Sequence, residues 1–406
     1  MPGAIVAAGE DHEQFTKWAL RQGVSINKVA AARFADRGMG IVATEKIQEG
    51  DVLTSVPISA LITVSSVPAQ LKKAIGPVTV HGLLAAALCF NAKQQQRQPS
   101  WQAWRRVWPS KEEFLDGLPI LWSPELQRML PFAAAELLQK QQQKFVKDFS
   151  AVSPAMADIS EDEYRYYWLI VNTRSFYYVK PGTRKTPPRD DCMALCPFSD
   201  YFNHADAGVC SNVVWRRFRC FADFSECPVT FGPDGFTVTS DRSYEPGEEV
   251  YLSYGNHSND FLLTEYGFIL DRNRWDEIRL DDLILRQISE KQKAVLRDAM
   301  FLGNYVLDQI AVCYRTEVAL KLIMLPENEW DRFSIEDEDE SGSSDRIGKL
   351  CETLMSLEEQ ARGYLRILND QDNEIAGGSM LQKRWHQVIH MLEKARDRYK
   401  KDLKQH

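Results

Sequence analysis

The stretch Glu248-Glu-Val-Tyr-Leu-Ser-Tyr-Gly255 follows a proline-glycine pair and ends in a tyrosine and a glycine. Its residues predict a strand from Glu249 to Tyr254, and Glu245-Pro-Gly-Glu248 predicts the turn before it. A tyrosine at the end of a strand, just before glycine, can aim its hydroxyl into a cleft. Tyr254 is therefore a candidate for chemistry. A strand aromatic that packs in the core is the alternative.

A second polar segment, Asp200-Tyr-Phe-Asn-His204, follows the apolar run Leu195-Cys-Pro-Phe198. Asn203 and His204 lie side by side, so they can offer an amide and an imidazole to a polar ligand. The alternative is an asparagine satisfied within a turn next to a structural histidine.

The segment Arg37-Gly-Met-Gly40 marks a tight turn at the start of a strand, where the backbone can pass close to a ligand. No third glycine and no helix follow it, which argues against a dinucleotide-binding fingerprint. A plain turn is the alternative.

Arg174 stands near the end of a densely aromatic helix, which we predict over Glu161 to Phe176. A single arginine in this position could pair with a carboxylate. It could equally be a surface residue.

The predicted elements give an α+β fold, in which a β core of short strands is split by a helical block and followed by an all-α region. Residues far apart in the sequence are therefore expected to meet at one site. The apolar face Trp385, Val388, Ile389, Leu392 and Ala395 predicts a helix in the tail, whose basic residues, such as Lys383, Arg384 and Arg396, suggest a solvated face. An acidic loop is expected at 335–344. The other predictions are helices at Glu13–Gln22, His81–Asn91 and Pro124–Ser150 (capped by Ser123), strands at Val29–Phe34, Gly40–Ala43, Val52–Val56, Asn212–Phe218 and Phe236–Ser240, and an extended piece at Ile58–Val64.

The composition bounds the function. The 49 basic and 57 acidic side chains give a formal charge of −8, which does not suggest a nucleic-acid binder and would suit a basic protein substrate. None of the eight cysteines forms a Cys-x-x-Cys pair, so no metal is expected. No stretch approaches a membrane span, and the N-terminus is not a persuasive signal peptide. We expect a monomer in the cytoplasm, the nucleus or both.

Taken together, these segments resemble the SET-domain methyltransferases, in the branch typified by the plant Rubisco large-subunit methyltransferase. The layout is similar as well, because that branch has a SET core interrupted by a helical insert and followed by a helical domain. The Cys-rich motif that follows the SET core in histone-directed relatives is absent here. The resemblance rests on Gly38 and Gly40 with Glu49-Gly-Asp51, on Asn203-His204, on residues 248–255, and on Ser258-Asn259 and Leu262 through Tyr266-Gly-Phe268.

The resemblance implies transfer of a methyl group from S-adenosylmethionine to a lysine of a non-histone protein. In this family pattern Tyr254 is the active-site tyrosine, and Phe268 stacks on the adenine of the cofactor. Backbone around Gly38, Met39 and Gly40, beside Arg37, would hold the methionine part, Arg174 would lie near the cofactor carboxylate, and Asn203 and His204 would bind its amino and adenine groups. Thr173, Asp200, Tyr201 and Tyr251 would line the channel of the substrate lysine.

The same resemblance divides the chain into four segments. Residues 1–80 would carry the first helix and the first part of the SET core, 81–190 the helical insertion, 191–270 the second part with the active site, and 271–406 a helical domain that docks the protein substrate. A ribosomal protein or a translation factor is a plausible substrate by family, and no nucleic-acid or membrane partner is expected. Two alternatives stay open, namely a histidine acceptor and a non-catalytic SET-like protein that only binds partners.

Overall fold

The computed structural model describes residues 5–35, 37–93, 101–180, 182–183, 188–205, 229–232, 235–332, 343–370 and 375–402. The chain forms two compact units. The first comprises residues 1–111 and 141–255, and the second comprises residues 112–140 and 256–406. Within the described ranges, no helix has the length and apolar character that crossing a membrane requires.

The strands are short and lie mostly in the first unit. They are β1 (Ile5–Ala7), β2 (Ser25–Ile26), β3 (Val29–Phe34), β4 (Gly38–Ala43), β5 (Val52–Pro57), β6 (Ser175–Tyr177), β7 (Met193–Leu195), β8 (Asn203–His204), β9 (Val229–Gly232), β10 (Gly235–Thr239), β11 (Glu249–Leu252), β12 (Ile278–Arg279) and β13 (Val306–Leu307).

Helices make up most of the remaining described chain. They are α1 (Glu10–Arg21), α2 (Ala69–Ile75), α3 (Val80–Lys93), α4 (Gln102–Arg105), α5 (Lys111–Gly117), α6 (Pro124–Arg128), α7 (Phe132–Val152), α8 (Glu161–Arg174), α9 (Asn259–Tyr266), α10 (Asp281–Gln287), α11 (Glu290–Asp298), α12 (Tyr314–Met324), α13 (Ser343–Asp370) and α14 (Gly378–Asp402).

Two sheets build the β core of the first unit. One has the strand order β1-β3-β4-β11-β8, and the other has the order β2-β5-β10-β9. In the first sheet β11 lies between β4, which comes before the helical block, and β8, which like β11 follows that block. The α+β architecture expected from the sequence is thus confirmed, and the three polar segments come from three neighbouring strands.

The helical block of the first unit packs around a buried polar cluster. Helix α3 is buried on nearly all sides, and its His81 ring stacks on Trp168 of α8 with the ring centroids 4.0 Å apart. The Trp168 indole nitrogen donates to Asp148 Oδ2 at 3.0 Å, and Thr79 Oγ1 donates to the same carboxylate. Buried polar groups persist in cores when they are paired in this way.

The second unit has a core of its own, to which α13 and α14 contribute one face each. The apolar face predicted for the tail is confirmed, because all five of its residues are buried. The reading of Arg384 as solvated was wrong. Its side chain is fully buried, and its guanidinium donates from Nε to Asp260 at 2.7 Å and from one terminal nitrogen to Asp276 at 2.6 Å. Two buried carboxylates explain why a buried arginine is tolerated here.

The helix predicted over Pro124–Ser150 is interrupted. It forms α6 and α7 with a break before Pro131, because proline lacks an N–H and disfavours helical backbone at the residue before it. The predicted cap is confirmed, since Ser123 Oγ accepts from the Leu126 amide at 3.3 Å. The extended piece at Ile58–Val64 was wrong in part, because short 3₁₀ turns form at Ile58–Ala60 and Val64–Ser66.

Two further boundaries differ from the prediction. Helix α8 ends at Arg174, and the next residues turn into strand β6, which pairs with β7. Strand β11 ends at Leu252 because the Tyr254 amide donates to a side chain, His204 Nδ1, instead of to a neighbouring strand. The predicted strand Asn212–Phe218 and most of the acidic run 335–344 lie outside the described residues. The last two residues of the acidic run, Ser343 and Ser344, begin α13.

Candidate active site

The three polar segments meet where β4, β11 and β8 lie side by side. Strand β11 runs antiparallel to β4, with Glu249 opposite Val42, and parallel to β8, with Tyr251 opposite Asn203. The Asn203 amide nitrogen Nδ2 donates to the Met39 carbonyl at 3.0 Å and to Glu249 Oε1 at 2.9 Å. One side chain thus links all three strands.

Gly40 makes this close approach possible. A Cβ atom at this position would lie 2.7 Å from Asn203 Nδ2, 2.8 Å from Glu249 Oε1 and 2.9 Å from Phe34 Cε2. Real Cβ atoms do not approach other atoms so closely. Gly38 has a different reason to be glycine, because its φ of +72° is disfavoured for residues with a side chain, although no atom lies within 4 Å of a Cβ placed there.

Glu249 is the buried carboxylate of this cluster. Its side chain is only 8% exposed, whereas its partner Arg37 is 55% exposed. Glu249 Oε2 accepts from Arg37 at 3.1 Å and from the Tyr251 hydroxyl at 2.5 Å, and Arg37 also contacts that hydroxyl. Burial raises the pKa of Glu249 above its usual value, against the opposing effects of Asn203 and Arg37.

Tyr254 and His204 form the second part of the cluster. Their rings stack with centroids 5.1 Å apart, and the Tyr254 hydroxyl donates to the Phe202 carbonyl at 2.7 Å. The Tyr254 backbone N–H donates to His204 Nδ1 at 3.2 Å. The same Nδ1 lies 3.4 Å from the Leu252 carbonyl, so the imidazole is held against the end of β11.

Asp200 and Arg174 are also brought together. Arg174 donates to the Asp200 carbonyl at 3.0 Å, and the same guanidinium nitrogen lies 3.5 Å from Asp200 Oδ2, which accepts from the Trp104 indole at 2.9 Å. Burial raises the pKa of Asp200 in spite of the neighbouring Arg174. Asp200 Oδ1 and Arg174 Nε are buried with no hydrogen-bond partner among the described residues.

Other predicted site residues have different surroundings. The Tyr201 ring is 3% exposed, and it packs against Phe15 and Phe198 with its hydroxyl hydrogen-bonded to His12 at 2.6 Å. These contacts place Tyr201 in the core beside α1. Thr173 Oγ1 donates to the Leu169 carbonyl of its own helix at 2.9 Å.

Phe268 belongs to the second unit, where its ring lies 6.2 Å from the ring of Tyr266. Its expected contact with adenine stays a prediction. In the part of the chain that the structure describes, we find no group of three or more His, Cys, Asp or Glu side chains that could hold a metal ion.

Sequence reasoning missed two contributors to the site. Glu249 is on the same side of β11 as Tyr251, and this spacing of two could have placed its carboxylate beside the hydroxyl. Trp104 is 96 residues from Asp200 in the chain, and no local pattern links the two.

Comparisons with known proteins identify the family and the fold. Residues 38–255 match the SET domain. SET domain-containing protein 4 of Mus musculus is 24% identical over 394 residues, which cover 88% of this chain and 83% of the relative. Ribosomal lysine N-methyltransferase 2 of Saccharomyces cerevisiae is 28% identical over 257 residues, which cover 54% of this chain and 51% of the relative.

The fold also has a close counterpart among solved structures. A crystal structure of the SET domain of LSMT bound to lysine and AdoHcy superimposes with a TM-score of 0.63 at 18% sequence identity. The match covers 97% of this chain and 92% of that chain. At this level of identity the likeness concerns the fold.

Proposed function

This protein belongs to the SET-domain family, whose match spans more than half of its 406 residues, and we propose that it is an S-adenosylmethionine-dependent protein-lysine N-methyltransferase. The observation that carries the proposal is that Asn203 and His204 of β8 meet Tyr254, which lies just beyond the end of the paired strand β11, beside the Gly38–Gly40 segment. The yeast relative is named a lysine N-methyltransferase, and the structural counterpart holds lysine and AdoHcy.

The residues of the cluster fit such a cofactor. Both hydrogens of the Asn203 amide are used within the protein, which leaves its oxygen as an acceptor for the α-amino group of a bound amino acid. The open space beside Gly38 leaves the backbone accessible. Arg174 has a buried Nε with no partner among the described residues, and a guanidinium suits a ligand carboxylate.

The chemistry requires an electrophilic methyl group and a neutral amine. S-adenosylmethionine, when bound, supplies the methyl group on a sulfonium. A free lysine has a pKa of about 10.4, so the site must favour the neutral form, which aromatic surroundings such as Tyr251 and Tyr254 do by desolvation. We assign no general base, because proton loss to water suffices. The Asp200 carboxylate is buried against Trp104 and Arg174.

Tyr254 is proposed to orient the reacting groups. Its hydroxyl proton is held by the Phe202 carbonyl, so the phenol oxygen can act only as an acceptor towards another group. An acceptor suits a methyl group made electron-poor by a sulfonium, through weak contacts worth roughly 0.5–1 kcal/mol each. Alignment of nitrogen, carbon and sulfur can supply about 7–11 kcal/mol of the reduction in the barrier.

The proposed substrate is a non-histone protein, and a ribosomal protein is favoured by the name of the yeast relative. The test is incubation of purified protein with methyl-labelled S-adenosylmethionine and a ribosome-depleted or ribosome-enriched extract, beside the Tyr254→Phe variant. Label in a protein band that yields methyl-lysine on acid hydrolysis supports the proposal. Methyl-histidine would support the histidine alternative, and no label in any fraction would favour a non-catalytic binding protein.

A further inference from the structure

The amide of Asn203 has a fixed orientation in this structure. Its Nδ2 group faces two oxygens, the Met39 carbonyl at 3.0 Å and Glu249 Oε1 at 2.9 Å. If the amide were turned over, its own oxygen would face these two acceptors and gain no hydrogen bond from either. The chemistry of the two partners therefore sets the orientation, independently of how amide atoms are assigned.

Glu249 supplies the second of those acceptors, and it is itself held in place. Arg37 and Tyr251 both donate to its other oxygen, Oε2, which leaves Oε1 directed at Asn203. The Glu249 side chain is only 8% exposed, so water has little access to take the place of its carboxylate as the partner of Asn203. The absence of a side chain at Gly40 allows the carboxylate and the amide to approach the backbone together.

We propose that Glu249 is a positioning residue for cofactor binding, which locks the Asn203 amide so that its oxygen points to the α-amino group of the cofactor. The inference rests on the proposed function, because it assumes that Asn203 contacts that amino group. Glu249 itself acts through Asn203 and touches no reacting atom. Without it, Nδ2 keeps only the Met39 carbonyl, and the amide gains the freedom to turn.

The choice of a carboxylate has a physical reason. Hydrogen bonds to a charged acceptor are stronger than neutral ones, and they are stronger still where water is excluded. A carboxylate offers no donor in its ionised form, so it cannot satisfy the Asn203 oxygen. An acceptor-only partner therefore favours one orientation of the amide over the other.

The test is titration of the full chain with S-adenosylhomocysteine, for the wild type, Glu249→Ala, Glu249→Gln, Asn203→Ala and the Glu249→Ala/Asn203→Ala pair. Calorimetry gives the affinities, and the ligand-dependent rise in melting temperature extends the range to weak variants. Glu45→Ala, which removes an exposed glutamate of the same unit, is the matched control.

We expect Glu249→Ala to weaken binding by about tenfold, as removal of a charged hydrogen-bond partner does. Glu249→Gln brings an N–H group that would face either Asn203 Nδ2 or the donors of Arg37 and Tyr251, so its affinity is expected to fall by about three- to tenfold. In the Asn203→Ala background the further loss from Glu249→Ala is expected to fall below about twofold, because a residue that acts through Asn203 has nothing left to position.

Two results would overturn the inference. Wild-type affinity in Glu249→Ala would show that the amide needs no lock. An equal loss in the presence and absence of the Asn203 side chain would show that Glu249 acts independently of it. A wild type that binds no S-adenosylhomocysteine is a different result, because it removes the proposed function itself.

Discussion

The hydroxyl of Tyr254 donates to the backbone carbonyl of Phe202 at 2.7 Å. Phe202 immediately precedes β8, so this hydrogen bond fixes the phenol beyond the end of β11 next to the strand that carries Asn203 and His204. The stacking of the Tyr254 ring on His204 adds a second restraint. Catalysis that depends on alignment benefits from a side chain held at two points.

Replacement of this tyrosine tests its proposed role. Tyr254→Phe removes the hydroxyl oxygen and keeps the ring, so turnover should fall by about tenfold or more, since each tenfold corresponds to about 1.4 kcal/mol of barrier. The affinity for S-adenosylhomocysteine should change by less than about threefold. Single-turnover kinetics and calorimetry measure the two quantities. Equal losses in both would contradict a role in the reaction step.

Gly40→Ala should disrupt the site through overpacking. The added methyl group would lie 2.7 Å from Asn203 Nδ2 and 2.8 Å from Glu249 Oε1, so both side chains must move. Overpacking typically costs about 1–3 kcal/mol of stability, and cofactor affinity should fall as well. Thermal unfolding and calorimetry with S-adenosylhomocysteine test this expectation.

The matched control is Gly348→Ala. Gly348 lies within α13, its φ is not in the left-handed region, and no atom would lie within 4 Å of a Cβ there. Alanine in place of a helical glycine should leave stability unchanged or raise it by roughly 0.5–1 kcal/mol. If Gly40→Ala behaved like this control in both assays, the close approach at Gly40 would be unimportant.

The stability of the first unit should depend on pH through His81. Burial lowers the pKa of His81 to about 3 from the usual value of 6.5. Because the folded state resists protonation, this histidine contributes stability that is fully present above pH 6.5 and is lost as the pH falls towards 3. The slope is about 1.4 kcal/mol per pH unit within that window.

His81→Gln is the variant that isolates this effect, because glutamine can still donate to the Trp168 carbonyl, which His81 Nε2 contacts at 2.8 Å. Melting temperatures between pH 7.5 and 4.5 should fall more steeply for the wild type than for the variant. Parallel curves for the two proteins would mean that His81 does not contribute to acid sensitivity.

Arg384 should be essential to the second unit. Arg384→Met would leave the buried Asp260 and Asp276 without their counter-charge, and breaking a buried pair costs about 3–5 kcal/mol. Adding Asp260→Asn and Asp276→Asn should restore part of the lost stability.

The neighbouring Lys383→Met is the control, because the ion pair of Lys383 with Asp271 is exposed and should contribute about 0–1 kcal/mol of stability. Chemical denaturation compares the variants, and similar losses at 383 and 384 would disprove the buried cluster.

The elements that the sequence predicted well are those with a local signal. Strand β3, the Ser123 cap and the apolar face of α14 depend on periodicity and on single capping residues, and the structure confirms each. The association of Asn203 with the Gly38–Gly40 segment followed from the family resemblance. Asn203 is at least 163 residues from that segment in the chain, and no local pattern links the two.

The features that sequence reasoning could not supply depend on tertiary partners. Arg384 belongs to a basic helix, and only the carboxylates of Asp260 and Asp276 explain its burial. Glu249 follows a turn, where glutamate is usually exposed, and its burial depends on Gly40 of another strand. Local patterns carry no information about charges that are compensated from distant parts of the chain.

The most direct test of the proposed function is calorimetric titration of the wild type with S-adenosylhomocysteine, run beside Asn203→Ala. The proposed function predicts that the wild type binds in the micromolar range. Asn203→Ala should weaken this binding strongly, because the variant lacks the amide that bridges Met39 and Glu249 and whose oxygen is proposed to accept from the α-amino group of the cofactor. Absence of binding by the wild type would contradict the proposed methyltransferase function and favour a SET-like protein that binds partners without catalysis.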